Sequence, residues 1–240
     1  MKVKRETLAD QVTQGLVAWI DQQNLAPGDA LPSEAQLAED FGVSRPVIRE
    51  ALKTLQGEGI IEVITGKNAV IKPLSSALLR KFFARAVAFQ TATFQDLIEV
   101  RRGLEIQSVR LAAERCTAED LAALEATFAR MRAEIHQHQR FAEQDVQFHL
   151  QIASAARNPI LYYLVESIRD VMRANVIHGL RHRFSEEDYA QVQARHAAIL
   201  VALRAQDADQ AQWAMQAHFD EALKALLFPN TTTEEDTHAD

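Results

Sequence analysis

Residues 33–55 read Ser33-Glu34-Ala35-Gln36-Leu37-Ala38-Glu39-Asp40-Phe41-Gly42-Val43-Ser44-Arg45-Pro46-Val47-Ile48-Arg49-Glu50-Ala51-Leu52-Lys53-Thr54-Leu55, a pattern that predicts two short helices meeting across a tight turn. Ser33 with Gln36 three residues on makes a capping-box start. Leu37, Ala38 and Phe41 supply the apolar side of a helix that Gly42 can end. Ser44 can cap the second helix, and Pro46 fits its first turn, where no backbone donor is needed. Val47, Ile48, Ala51, Leu52 and Leu55 then form a buried stripe. On the other side Arg45, Arg49 and Lys53 recur at four-residue spacing, so three cations project from one face, as on a recognition helix that enters a DNA groove. Taken alone, such a row is also what an ordinary solvated helix face looks like.

The flanking sequence favours DNA. Ile60, Ile61, Val63 and Ile64, then Thr65-Gly66-Lys67-Asn68, then Ala69, Val70 and Ile71 predict two short strands and a Gly-containing turn, which completes a winged helix. Gly66 and Lys67 at the wing tip pair a close backbone approach with a cation, suited to a phosphate or a minor groove. Upstream, Glu6 to Gln23 predicts a helix with Leu8, Val12, Leu16, Trp19 and Ile20 on one side, and Asn24 to Pro32 a turn-rich connection.

A chain of 240 residues, 48% hydrophobic and 25% charged, can bury one large or two modest cores. The net charge of −7, with more acids than bases in residues 2–72, argues against nonspecific coating of nucleic acid, so any DNA contact must come from a local face. Cys116, the one cysteine, excludes an internal disulfide framework. The absence of an apolar run long enough for a signal peptide or membrane span gives the expectation of a cytoplasmic protein.

After Pro73-Leu74-Ser75-Ser76 the pattern is helical: a connecting helix over 77–90, then helices near 94–115, 118–137, 140–156, 159–181, 186–205 and 208–227. Thr93, Thr117, Asn158 and Ser185 supply the start signals. The expected architecture is mainly α, an N-terminal winged helix-turn-helix domain (1–73), a linker (74–92), a six- to seven-helix bundle (93–228) and a disordered polar tail (229–240).

Several polar side chains fall where apolar ones belong. Asp145 lies on the stripe Phe141, Phe148, Ile152 with His149 one turn on; His196 lies among Val192, Ile199 and Leu203; His218 lies between Met215 and Ala222. A single inward histidine is ordinarily a hydrogen-bonded core residue. Four inward ligand types on three helices point instead to a divalent metal, zinc first, with nickel, manganese or iron also suited. His136, His138, His178 and His182 lie in polar surroundings near helix ends, and His238 is in the tail. Arg101 lies on the stripe Leu97, Leu104, Ser108, Leu111, and offers either an ion pair with Glu105 or a fork for an effector carboxylate, with Arg102 an alternative for that role. No second inward acid positioned as a general base and no inward nucleophile is evident, which disfavours a metal-dependent hydrolase.

With both halves read, the chain resembles GntR-family transcriptional regulators of the FadR subfamily with an FCD ligand domain. The resemblance rests on Leu31-Pro32-Ser33-Glu34, Gly42-Val43-Ser44-Arg45 and Val47-Ile48-Arg49-Glu50-Ala51-Leu52 at the front. At the back it rests on Arg101-Arg102-Gly103-Leu104-Glu105, Asp145-Val146-Gln147-Phe148-His149, Asn158-Pro159, His196-Ala197-Ala198-Ile199 and His218. It implies that Arg45 and Arg49 read bases or phosphates with Ser44 and the Gly66 wing tip supporting them, that Asp145, His149, His196 and His218 bind the metal, and that Arg101 meets an effector; Ser33, Lys53 and Lys67 complete the expected DNA-facing set. Ala35 stands where the family commonly has arginine, and Asn68-Ala69 where the wing commonly has a second glycine. The implied protein is not an enzyme but a homodimeric regulator, a repressor, that binds a palindromic operator in double-stranded DNA and is released by a sugar acid or hydroxy acid. The alternative is a regulator that senses the metal itself.

Overall fold

The computed structural model describes residues 6–63, 68–183 and 186–227, with side chains there except at 138, 174–183, 186–189 and 222–227. The chain divides into two compact units, Met1–Leu78 and Leu79–Asp240.

The first unit is built on α1 (Leu8–Gln22), α2 (Glu34–Asp40), α3 (Arg45–Gly57), β1 (Ile61–Glu62) and β2 (Val70–Ile71). Thr7 and Asp10 form a reciprocal capping box that starts α1 later than Glu6. Leu8, expected on the packed side, is 52% exposed, because it precedes the turns where Val12 and Leu16 are buried. Gly15 has no side chain for a reason: a Cβ there would stand 2.8 Å from the Phe41 ring at the end of α2. Ser33 caps α2 by accepting from the Gln36 backbone, but the Gln36 side chain bonds Asp40 at 2.9 Å, so the capping box is half made. Gly42, at φ +64°, takes the left-handed turn that frees the chain to start α3. Ser44 sits at the N-cap without a side-chain cap bond, leaving its hydroxyl exposed.

Ile48, Ala51, Leu52 and Leu55 of α3 enter the core with Leu16, Leu31, Leu37 and Ile61. The strands are two residues each, paired Ile61 with Ile71 and Glu62 with Val70. The preceding connection contributes an edge that the sequence did not announce: Leu31 donates to Ala69 O at 2.7 Å and Ile71 to Asp29 O at 2.9 Å. Ala69 is 6% exposed, so its methyl fills core space where a glycine would leave none filled.

The second unit comprises most of α4 (Ala77–Ala88) with α5 (Phe94–Arg115), α6 (Ala118–Ala133), α7 (His138–Ala155), α8 (Pro159–Arg183), α9 (Glu186–Arg204) and α10 (Ala208–Leu227). Helix α5 packs against α7, α8, α9 and α10, and α6 against α7 and α9. Thr93 with Asp96 and Thr117 with Asp120 make full capping boxes, Asn158 accepts from Leu161 N at 3.2 Å, and Ser185 lies outside the described residues. The buried side of α5 is turned relative to the expected stripe: Leu97, Ile98, Arg101, Glu105, Ser108, Val109 and Ala112 are buried, while Leu104 and Leu111 are half-buried. The expected tail, 229–240, is outside the described residues.

Candidate metal centre and DNA-facing helix

Helix α7 carries Asp145 and His149 one turn apart, α9 carries His196, and α10 carries His218; one donor atom from each lies within 4.8 Å of all the others. The three histidines are buried, and the Asp145 side chain is 21% exposed, on the open side of the cluster. His196 Nδ1 lies 2.8 Å from Val192 O, a group that can only accept, so the neutral ring carries its proton on Nδ1. Its Nε2 lone pair then faces Asp145 Oδ1 at 3.0 Å. Two lone pairs at that distance repel unless a cation lies between them. His149 Nε2, 3.7 Å from the same oxygen, and His196 Nε2 are both buried without a hydrogen-bond partner. Three imidazoles and one carboxylate with orphaned donor atoms turned inward fit a divalent metal ion.

A second layer lies behind these residues: Glu105, expected as a partner for Arg101, and Arg169, which the sequence reading missed. Glu105 of α5 is 1% exposed, and Arg169 of α8 is 2% exposed. Arg169 donates to both Glu105 oxygens, from Nε at 2.8 Å and from Nη2 at 2.7 Å, and from Nη1 to Asp145 Oδ2 at 3.2 Å. Glu105 Oε2 lies 2.5 Å from His149 Nδ1, a short contact set off the line of the ring N–H. Glu105 is therefore a second inward acid. Its lone pairs are turned to Arg169, His149 and Arg101, so it is not a free base. Burial works against the Glu105 charge, but Arg169, His149 and Arg101 outweigh it and hold the carboxyl well below the usual range. At Asp145 burial is likewise outweighed, by the adjacent His196 ring and the neighbouring His149 and Arg169. Burial, reinforced by Arg169, pushes the His149 imidazole down to about 4, and burial with the other two rings lowers His218 well below its ordinary value. Both rings are thus kept as neutral metal donors.

Arg101 is buried at 8% exposure with few partners. Its Nε stands 3.1 Å from Glu105 Oε1 without hydrogen-bond alignment, its Nη1 reaches, among the described residues, only the Met172 sulfur at 3.7 Å, and its Cζ lies 4.8 Å from the centre of the Phe219 ring. Burial, then Arg169, pushes its pKa down to about 10 against the pull of the two acids. Arg102 is directed elsewhere: its side chain is 30% exposed and pairs with Asp220 at 2.7 Å. The side chains of His138, His178, His182 and His238 are outside the described set.

In the first unit Arg45, Arg49 and Lys53 are all exposed along α3, as are Ser33 and Ser44 at the helix starts. Arg49 pairs with Glu34 at 2.7 Å and Lys53 with Glu50 at 2.8 Å, while Arg45 has no partner among the described residues. Exposed pairs of this kind stabilise by only about 0–1 kcal/mol, so little opposes their release to phosphates. Gly66 and Lys67, with Ile64 and Thr65, lie outside the described residues.

Residues 8–71 match the family of bacterial regulatory proteins, gntR family, and residues 96–221 match the FCD domain. The chain is 31% identical over 207 residues to the Glc operon transcriptional activator of Escherichia coli (strain K12), covering 83% of this chain and 81% of that protein. It is 32% identical over 238 residues to an Escherichia coli (strain K12) protein named as a regulator of the L-lactate dehydrogenase operon, covering 97% and 88%. Other relatives are named as repressors. Among solved structures, Streptococcus agalactiae GntR aligns with a TM-score of 0.73 at 25% identity, covering 91% of this chain and all of that one.

Proposed function

The chain belongs to the gntR family of bacterial regulatory proteins and carries an FCD domain, and we propose that it is a homodimeric repressor whose helical unit holds a divalent metal, zinc in the first instance, and is released from its operator by a small organic acid. It is a DNA-binding transcriptional regulator with an effector domain; the sign of control, the metal and the acid are the proposal.

One observation carries the effector reading. Arg101 is a buried cation whose best acceptors are a misaligned carboxylate and a thioether, beside four inward metal-ligand side chains. Buried guanidinium groups ordinarily satisfy their donors, and a carboxylate matches the fork. Asp145, His149, His196 and His218 would hold the metal, which when bound offers a Lewis-acid position for a carboxylate or hydroxyl oxygen. Arg101 would orient a further oxygen of the same acid, and the Phe219 ring would support the guanidinium from beneath. A hydroxy acid suits two such contacts, and the relative named for L-lactate dehydrogenase control is in keeping with that class. Sensing of the metal alone would leave the Arg101 donors unused.

On the DNA side, Arg45 and Arg49 would read bases or phosphates, with Lys53, Ser33, Ser44 and the Gly66-Lys67 tip as backbone contacts. One recognition helix reads few base pairs; two related by a twofold axis read a palindrome. Coupling would run through α4, which is tied to the helical unit by the half-buried Phe83 and Val87 packed against its core and by Arg80 to Asp170 at 3.0 Å. The acid must bind the free and operator-bound states with different affinity to act at all. The test is to select duplexes from a random pool with the metal-loaded protein, then titrate the winner with sugar acids and hydroxy acids. One acid is expected to weaken binding in the wild type and to have no effect on His196→Ala. A selected operator whose affinity is indifferent to every acid, with and without metal, contradicts the proposal.

A further inference from the structure

Arg169 sits on α8, a helix that supplies none of the four candidate ligands, yet all three of its guanidinium nitrogens are directed at carboxylates bordering them. The inference drawn here rests on the metal reading above. At Asp145, Arg169 engages Oδ2, which leaves Oδ1 as the oxygen facing His196 Nε2 at 3.0 Å and His149 Nε2 at 3.7 Å. At Glu105 the two-point grip fixes the plane of the carboxylate, whose Oε2 stands against His149 Nδ1 and leaves Nε2 as the free donor.

We infer that Arg169 is the positioning residue of the centre, setting the Asp145 carboxylate directly and the His149 ring through Glu105. A two-point pair with one carboxylate engages only two of the five guanidinium N–H donors. Here the third nitrogen reaches a second acid on a different helix, and the two acids it joins are a ligand and the partner of a ligand. The planar fork is required for this, because an ammonium group cannot hold two carboxylates in fixed planes. A metal-bound imidazole works best when its other nitrogen is held by a carboxylate, and outer partners of this kind change metal affinity by about 10–100-fold.

The test uses the full chain, stripped of metal, with Co2+ as the probe, read by its visible absorption under competition with a chelator. Wild type, Arg169→Lys and Glu105→Gln are compared, each first shown to be folded by far-ultraviolet circular dichroism. Both variants keep the four ligand side chains, and each is expected to bind Co2+ about 10–100-fold more weakly with an altered absorption band. Arg169→Lys should show the larger effect, since it releases both ligands where Glu105→Gln releases only His149. Wild-type affinity and spectrum in the variants would overturn the inference even if their thermal stability fell, for that is the behaviour of a structural ion pair. If Arg169→Lys does not fold, Glu105→Gln decides by the same two readings. A wild type that takes up no Co2+ overturns this inference together with the metal reading, whereas normal uptake by wild type and variants alike overturns this inference alone.

Discussion

Asp145, His149, His196 and His218 could be read from the sequence because each interrupts an apolar stripe at helical spacing, and an interruption is visible wherever its neighbours are strongly apolar. Glu105 and Arg169 interrupt stripes too. Glu105 was expected only as a partner for Arg101, because Leu104 and Leu111 drew the expected stripe of α5 one residue away from the buried positions 105 and 112. Arg169 follows Leu161 and Val165 at four-residue steps, a signal that was present and unused, since an arginine on a long helix is ordinarily assigned to solvent. On the DNA-facing helix the pairing differs from residue to residue. Arg45 has no partner among the described residues and Lys53 is held by Glu50. If Arg45 makes a two-point contact with guanine, Arg45→Ala should weaken operator binding by about 1–3 kcal/mol and relax preference at one base pair. Lys53→Ala should weaken all sequences alike and lower the salt dependence. Anisotropy titrations at several salt concentrations distinguish the two, and unchanged affinity for Arg45→Ala would take that residue out of the interface.

Helix positions followed from caps and periodicity, and the ends moved by up to four residues, as where α6 stops at Ala133 rather than at 137. Helix α1 starts after Thr7 because the Thr7–Asp10 capping box outcompetes the extra turn from Glu6. The wing was the least legible element: its ladder is two residues per strand, and its third edge comes from Asp29 to Leu31, a stretch whose composition says only turn. Such pairing is set by long-range backbone bonds, which local patterning does not encode. Helix α5 offers a test of packing at this scale. Gly103 lies on its exposed side, where an added Cβ meets no atom within 4 Å. Gly103→Ala should therefore stabilise the protein by about 0.5–1 kcal/mol through helix propensity, seen as a higher midpoint in urea unfolding. A loss of stability would mean that another surface closes over Gly103 in solution.

At the scale of the molecule, two units with separate cores divide the work: one presents three cations on an exposed helix, and the other gathers four donors and two buried arginines around one point. Family membership was legible because the motifs of both units stand in one chain in the order the family requires. No helix among the described residues is long and apolar enough to cross a membrane. The inward cluster carries two acids, Glu105 and Asp145, against two arginines, Arg101 and Arg169, so their formal charges cancel before any metal enters. A divalent ion would then leave positive charge in a poorly solvated site, which favours an anion as its companion. The sensing mechanism therefore stands on the metal. The most direct test is the metal content of the full-length protein after reconstitution with zinc and removal of excess, measured on wild type and His196→Ala side by side. Near-stoichiometric zinc in the wild type and its loss from a folded His196→Ala are predicted. A folded wild type without metal would mean that Asp145 and the three histidines are a structural hydrogen-bonded cluster, and would contradict the sensing mechanism while leaving the DNA-binding unit as described.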